Sequence, residues 1–160
     1  MKDLLKKFII TGFFTGYTPV IPGTAGSLLA AILFAFVQPY PLLFYFLLSL
    51  FFILGILWGD WAKTCFKKSD PPQMVLDEFA GIFITFMGLN FTIDVFSLSP
   101  EALKILISGF ILFRLFDITK PFPIKKAEKM KGSWGIMMDD VLAGIYANLI
   151  LRILIRINFL

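Results

Sequence analysis

An all-α bundle embedded in a lipid bilayer is the fold this sequence predicts, with about four to five transmembrane helices behind a broken or re-entrant N-terminal helix. Three observations carry that expectation. The chain is 58% hydrophobic and 17% aromatic, with a mean hydropathy of +0.85, well beyond the apolar share of a soluble domain. Its apolar runs are separated by short proline, glycine or charged breakers, the pattern of helices packed on one another inside a membrane. Its basic residues flank those runs in short patches, which is how membrane orientation is written. At 160 residues, a single membrane-embedded domain over 1–160 is expected. The net charge of +4 resides in those topological patches, so no nucleic-acid partner is expected, and no feature of the sequence sets an oligomeric state. A single cysteine, Cys65, and the absence of histidine exclude an internal disulfide and the usual zinc ligands. Any metal would be a hard, oxygen-bound ion.

The elements follow in order. Residues 2–16, KDLLKKFIITGFFTG, place lysines before an apolar remainder but offer no A-x-A cleavage site, so a retained interfacial or re-entrant helix is expected. After the break YTPVIPGTAG a helix starts near Thr24, continues as SLLAAILFAFV and ends at QPYP. That span is short for a hydrocarbon core of about 30 Å. A second, full-length span covers 41–62 and closes with GDWA; the loop KTCFKKSDPP then leads to a third over 74–89, opening MVLDEFAGIF. The polar turn NFTIDVFSLSP precedes a fourth span over 101–117. That helix stops near KPFP, because proline lacks an amide donor and clashes with the preceding turn. The basic loop KKAEKMKGS introduces a fifth span, from about Gly135 to the C-terminus.

Loop charge orients these spans. Lys63, Lys67 and Lys68 follow the second, and Lys120, Lys125, Lys126, Lys129 and Lys131 follow the fourth, whereas QPYP and NFTIDVFSLSP hold neither lysine nor arginine. The basic loops, with Lys2, Lys6 and Lys7, therefore face the cytoplasm. Arg152 and Arg156 fit less well, toward the outer end of the last span, and are expected to snorkel or to lie along the interface. Trp58 and Trp61 read as interface anchors.

Orientation brings six carboxylates to one leaflet boundary. Asp60 and Asp117 end spans there, while Asp77 with Glu78 and Asp139 with Asp140 begin them. Helix-end acids solvated by headgroups are the alternative for Asp60 and Asp117, although acids at a helix C-terminus oppose the macrodipole. Caps are the alternative for the other four, but neighbouring helical positions point about 100° apart, so only one of each pair can cap. Burying unpaired acids is costly. Arg114 and Lys120 flank Asp117 by three residues on either side, and Arg114 shares its helical face. Two cations for six acids make bound Mg²⁺ the expected partner.

Two further patterns stand out. In TGYTPVIPGTAGSL, prolines and glycines interrupt an apolar stretch before a new helix. The first-turn amides around Gly23, Thr24, Gly26 and Ser27, with the Thr24 and Ser27 hydroxyls, form either a phosphate cradle or a mere turn. The loop is not a Walker A motif, since GK[ST] is missing. DEFAGI at 77–82 and DDVLAGI at 139–145 share an order of acids and small residues. Gly81, Thr85 and Gly88 follow Asp77 at helical spacing, as Gly144 and Ala147 follow Asp140, and such stripes let helices approach closely enough to bring the acids together.

The blocks IPGTAGSL, VLDEFAGI, FRLFDITKPFPI and GIMMDDVLAGI resemble, in the same order, those of the phosphatidylglycerophosphatase A family, over most of the chain between Gly16 and Ala147. Ile21 conservatively fills the place before PGT, and no acidic block is missing. The resemblance implies a Mg²⁺-dependent phosphatase of the bacterial cytoplasmic membrane, multi-pass and with its active site on the cytoplasmic side. Its substrate would be the membrane lipid phosphatidylglycerophosphate, converted to phosphatidylglycerol and inorganic phosphate during phospholipid synthesis. On that reading Asp77, Glu78, Asp139 and Asp140, with Asp117, hold metal and act in catalysis, Asp60 is a possible addition, and Gly23, Thr24, Gly26, Ser27, Arg114 and Lys120 bind phosphate. The rival from another class is a small cation- or proton-coupled transporter. Clustering of the acids at one side, with apolar outer halves, argues against it. A CDP-alcohol phosphotransferase would need a DG-x2-AR motif, which the sequence lacks.

Overall fold

Proline sets where three of the helices begin. In the computed structural model, which describes residues 2–89 and 99–159, Pro22, Pro41 and Pro100 each open a helix. The missing amide costs nothing at a first helical position, and the fixed φ suits it. The helices are α1 (Lys2–Ile10), α2 (Pro22–Val37), α3 (Pro41–Phe66), α4 (Leu76–Phe86), α5 (Pro100–Thr119), α6 (Ile124–Ala127) and α7 (Ser133–Arg156), and the described residues contain no strand. The all-α expectation holds. A 3-10 turn at Thr15–Tyr17 breaks the N-terminal segment expected to be one helix over 2–16. The expected polar turn over 90–98 lies outside the described residues.

Among the described residues one helix, α3, with 26 residues, is long and apolar enough to cross a membrane, and α2, with 16, is apolar but shorter. The expected third span is corrected. α4 has only 11 residues, about 16 Å at 1.5 Å each, roughly half the hydrocarbon thickness. Every one of its residues is buried, which explains the mistaken span: the run is apolar because protein surrounds it. Phe79, Phe83 and Phe86 repeat at helical spacing and meet Phe51 of α3 at 5.1 Å edge-on, Phe44 of α3 at 5.2 Å stacked, and Phe34 of α2 at 4.5 Å stacked. Such pairs contribute about 0.5–1.5 kcal/mol each beyond area burial.

Both ends of α4 are tied down. Val75 N–H donates to Ile10 O at 3.0 Å, so the end of α1 fixes the start of α4. α1 is itself docked on α3, with the Lys6 ammonium 5.9 Å and 5.4 Å from the ring centres of Trp58 and Trp61. At the other end, Asn148 of α7 donates to Thr85 O (2.8 Å) and Met87 O (3.0 Å), and Arg152 donates to Met87 O (2.7 Å) and Asn148 Oδ1 (2.8 Å). The last carbonyls of a helix lack intrahelical partners, and these two side chains satisfy them. Arg152, expected to snorkel, is thus the cap of a neighbouring helix.

The small-residue stripe works as expected where α4 crosses α7. A Cβ on Gly144 would collide with Gly81 O, and one on Gly81 would meet the Phe113 ring and Asp140 O. Gly88 lies beyond the end of α4 with φ of 67°, so it belongs to the turn and not to the stripe. α5 closes near KPFP at Lys120, whose φ of 42° makes a left-handed cap. α7 opens at Ser133, which places Asp139 and Asp140 nearly two turns inside the helix.

Candidate active site

The cytoplasmic-side expectation gathered acids by counting helix ends; the structure gathers most of them around one cavity. This space, about 170 Å³, is lined by Asp77 and Glu78 from the first turn of α4, Asp117 from the last turn of α5, Asp139 and Asp140 from α7, and Gly23 and Lys120. Asp77, Glu78, Asp139 and Asp140 are all buried. In α4 the two acids occupy an N-terminal turn and complement its dipole. Asp139 and Asp140 correct the expectation: two turns into α7 they cap nothing, so the macrodipole does not account for them. In each pair the first carboxylate accepts from the second residue's amide, Asp77 Oδ1 from Glu78 N at 3.0 Å and Asp139 Oδ1 from Asp140 N at 3.1 Å.

Two cations are built in. Arg114 Nη1 lies 2.8 Å and 3.0 Å from the Glu78 oxygens and 2.7 Å from Asp117 Oδ2, and donates to Ser27 Oγ at 3.3 Å. The Ser27 hydroxyl also bonds Glu78 Oε2 and lies 2.8 Å from Gly23 O. Lys120 Nζ reaches Asp139 Oδ2 at 2.7 Å and Glu128 Oε1 at 3.2 Å. Burial alone would pull the Lys120 ammonium down, but the hydrogen bond and charge of Asp139, followed by Glu128, outweigh it and hold the group above its ordinary value. It stays protonated throughout the physiological range.

Several expectations shift with this geometry. Arg114 pairs through Nη1 with Glu78, Asp117 and Ser27 and so orders the acids, while its buried Nε has no partner among the described residues; it is not among the residues that line the cavity. Ser27 is fully buried and serves that same network. The predicted amide cradle is reduced, because α2 begins at Pro22 and Ala25 N–H already donates to Ile21 O at 3.0 Å. Gly26 is a packing glycine, where a Cβ would stand 2.7 Å from Val75 Cβ. Thr24 is half-buried and outside the cavity lining, leaving Gly23, where a Cβ would strike Glu78 Oε1. Asp60 points away, with its side chain 71% exposed and 3.7 Å from Lys63. Two acids escaped the sequence reading. Asp70 lines the cavity from the loop before Pro71 and Pro72, and Glu128 partners Lys120; the proline pair that pins Asp70 was the available signal.

The lining acids suit a hard divalent ion: Asp70, Asp77, Glu78, Asp117, Asp139 and Asp140 offer carboxylate oxygens, they outnumber the cations, and Asp77 and Asp140 have no ion-pair partner among the described residues. No three acidic side chains among the described residues already converge on one point.

A cavity that sets carboxylates beside a charged lysine can hold a phosphate ester by its cation and move protons through its acids, which is chemistry suited to a helical phosphatase. The chain belongs to the phosphatidylglycerophosphatase A family, whose sequence model matches residues 8–155. The phosphatidylglycerophosphatase A of Escherichia coli is 35% identical over 142 residues, covering 86% of this chain and 76% of its own. That of Haemophilus influenzae is 37% identical over 145 residues, covering 89% and 83%. A Bacteroides thetaiotaomicron protein provisionally named a phosphatidylinositol-3-phosphatase is 36% identical over 160 residues, covering 94% of each chain. No solved structure gives a significant match. Membership decides against the transporter reading.

Proposed function

We propose that this protein is a Mg²⁺-dependent membrane phosphatase that hydrolyses phosphatidylglycerophosphate to phosphatidylglycerol and inorganic phosphate, at the cytoplasmic face of a bacterial membrane and within phospholipid synthesis. The observation that carries the reading is the meeting of Asp77, Glu78, Asp117, Asp139 and Asp140 with Lys120 around one cavity, in a chain of this family. The bilayer setting rests on α3, with α2, α5 and α7 crossing beside it and α4 enclosed among them. Exposed apolar side chains along these helices, such as Leu28, Ile32 and Phe36 on α2, Leu57 on α3, and Ile107 and Ile111 on α5, suit contact with lipid tails.

Asp77, Glu78, Asp139 and Asp140 would hold the ion, which when bound supplies charge neutralisation of the phosphate monoester and polarisation of a water. Lys120 pairs with a non-bridging oxygen, exchanging part of its contact with Asp139 for the substrate. Arg114 keeps Glu78 and Asp117 in place. With no histidine in the chain, a carboxylate takes the proton from the attacking water; Asp77 and Asp140, free of ion pairs, are suited to it. Water adds to phosphorus, the ester P–O bond breaks, and the leaving glycerol oxygen receives a proton. No D-x-D motif of the common aspartyl-phosphate enzymes is present, so water is the nucleophile. The test is phosphate release by purified protein from phosphatidylglycerophosphate, with phosphorylated phosphatidylinositol as the competing substrate suggested by the Bacteroides relative. Activity should require Mg²⁺, vanish in EDTA and fall at least about 10²-fold in Asp77→Asn and Asp140→Asn. Undiminished turnover in EDTA, or in both variants, would refute the assignment.

A further inference from the structure

Loop charge alone would be satisfied by lysines anywhere in a loose connection, yet the basic segment between α5 and α7 is fastened to the bundle. Ile124 and Ala127 of α6 are buried, and Tyr146 of α7 donates to Phe122 O at 3.1 Å. Lys120, at the head of the segment, pairs with Glu128 in its middle at 3.2 Å. With these groups turned inward, Lys125, Lys126, Lys129 and Lys131 are all exposed, and none of the four forms an ion pair among the described residues. Apolar rings are held out beside them: Phe122, just before α6, is 81% exposed, and Trp134, in the first turn of α7, is 47% exposed. Water is a poor solvent for such rings, and the unpaired ammonium groups repel one another. A surface that is at once cationic and apolar finds its counterpart in an anionic lipid interface.

We infer that this segment is a collecting site for anionic phospholipids, in which the four lysines pair with headgroup phosphodiester oxygens while the Phe122 and Trp134 rings lodge at the membrane interface. The inference rests on the membrane setting proposed above and not on the phosphatase chemistry. Charge names the ligand class. Glu128 is the one acid between residues 121 and 132, and it faces Lys120, so the outward field is positive: it draws lipids of net negative charge and exerts no net pull on a zwitterionic headgroup. Position gives the site its use. Lys120 begins the segment and also lines the acidic cavity, so lipid gathered on the neighbouring lysines is gathered at the entrance to the chemistry. A raised local density of anionic lipid lowers the KM of a substrate that is itself an anionic lipid and leaves kcat alone.

The experiment uses the full chain with Trp58→Phe and Trp61→Phe, which leaves Trp134 as its one tryptophan, reconstituted in phosphatidylcholine vesicles. Trp134 fluorescence is read as bromine-labelled lipid is added, either phosphatidylserine, an anionic lipid without a phosphomonoester, or phosphatidylcholine. With the lysines intact, half-maximal quenching should need about threefold less brominated phosphatidylserine than brominated phosphatidylcholine at low ionic strength, and about 0.5 M salt should bring the two together. Lys125→Gln, Lys126→Gln, Lys129→Gln and Lys131→Gln together should abolish the preference, and the same four positions changed to arginine should keep it; all are exposed and unpaired, so both variants should fold. On the phosphatase reading, the glutamine variant should also raise the apparent KM for phosphatidylglycerophosphate diluted in phosphatidylcholine about threefold, with kcat kept. Equal quenching by the two lipids with the lysines intact, a preference that survives the glutamine replacements or ignores salt, or an unchanged KM would each overturn the proposal. Quenching by neither lipid would sink the membrane setting and this site with it. Absence of phosphate release would sink only the phosphatase chemistry, and the quenching would still decide the proposal.

Discussion

Replacing Arg114 with methionine separates the architecture of the acid cluster from its chemistry. Arg114 and Glu78 are 2.8 Å apart with side chains only 16% and 11% exposed, and Asp117, at 2.7 Å, is 14% exposed. Removing one partner of a buried ion pair costs about 3–5 kcal/mol, since the remaining charge stays desolvated and alone. Arg114→Met should lose stability in that range, measured by equilibrium unfolding in detergent micelles. Asp60→Asn, at a largely exposed pair, should lose less than about 1 kcal/mol. Adding Glu78→Gln to Arg114→Met should return about half of the deficit, because a neutral amide can keep the Ser27 hydrogen bond while Asp117 remains unpaired. Phosphate release should stay low in the double variant, since the recovered stability does not restore the carboxylate. A single variant within about 1 kcal/mol of wild type, or a double variant no more stable than the single, would refute the account of Arg114 as the organiser of the acids.

Two other perturbations test the scaffold. Gly144→Ala drives a methyl into the Gly81 carbonyl and to 3.1 Å from Ile84 Cβ, so α4 and α7 must part. A loss of about 1–3 kcal/mol in the same unfolding measurement is expected, with kcat lower by up to about 10² as the two acid pairs separate; wild-type kcat in this variant would show that their spacing is not set at the crossing. Asn148→Leu strips the buried Thr85 carbonyl of its side-chain partner and should cost about 1–3 kcal/mol, more than Arg152→Met, whose bond to Met87 O is exposed. The reverse order would mean that the arginine, not the asparagine, holds the end of α4.

How far the sequence foretold this site depends on what each residue's neighbours contributed. The helix order was legible, because Pro22, Pro41, Pro100 and the KPFP stop act through backbone sterics that need no tertiary context. The meeting of Asp77, Glu78, Asp117, Asp139 and Asp140 was legible from their places near the ends of the apolar segments, and the Gly81–Gly144 approach from the small-residue stripe. The length of α4 was not, because hydropathy registers an apolar environment without saying whether lipid or protein supplies it. Nor was the pairing of Arg114 with Glu78 beside Asp117: its shared face with Asp117 was visible in the sequence, but Glu78 arrives from 36 residues away. Asp60 was drawn into the site by its place at a helix end, although the direction in which a side chain leaves the last turns of α3 depends on where α7 packs. Glu128 and Asp70 were missed for the converse reason, since both lie in segments whose charges read as solvated loop.

The enclosure of α4 bears on how the enzyme coexists with its solvent. A half-length segment gripped by backbone and side chains at both tips rides with its protein neighbours and has no annular shell of its own. If a bilayer surrounds the bundle as proposed, its stretching or thinning would be absorbed by tilting of the outer helices, while Asp77 and Glu78 keep their depth relative to Asp139 and Asp140. On the proposed membrane setting, the acids of α4 are thus mounted on a part that protein, not lipid, surrounds.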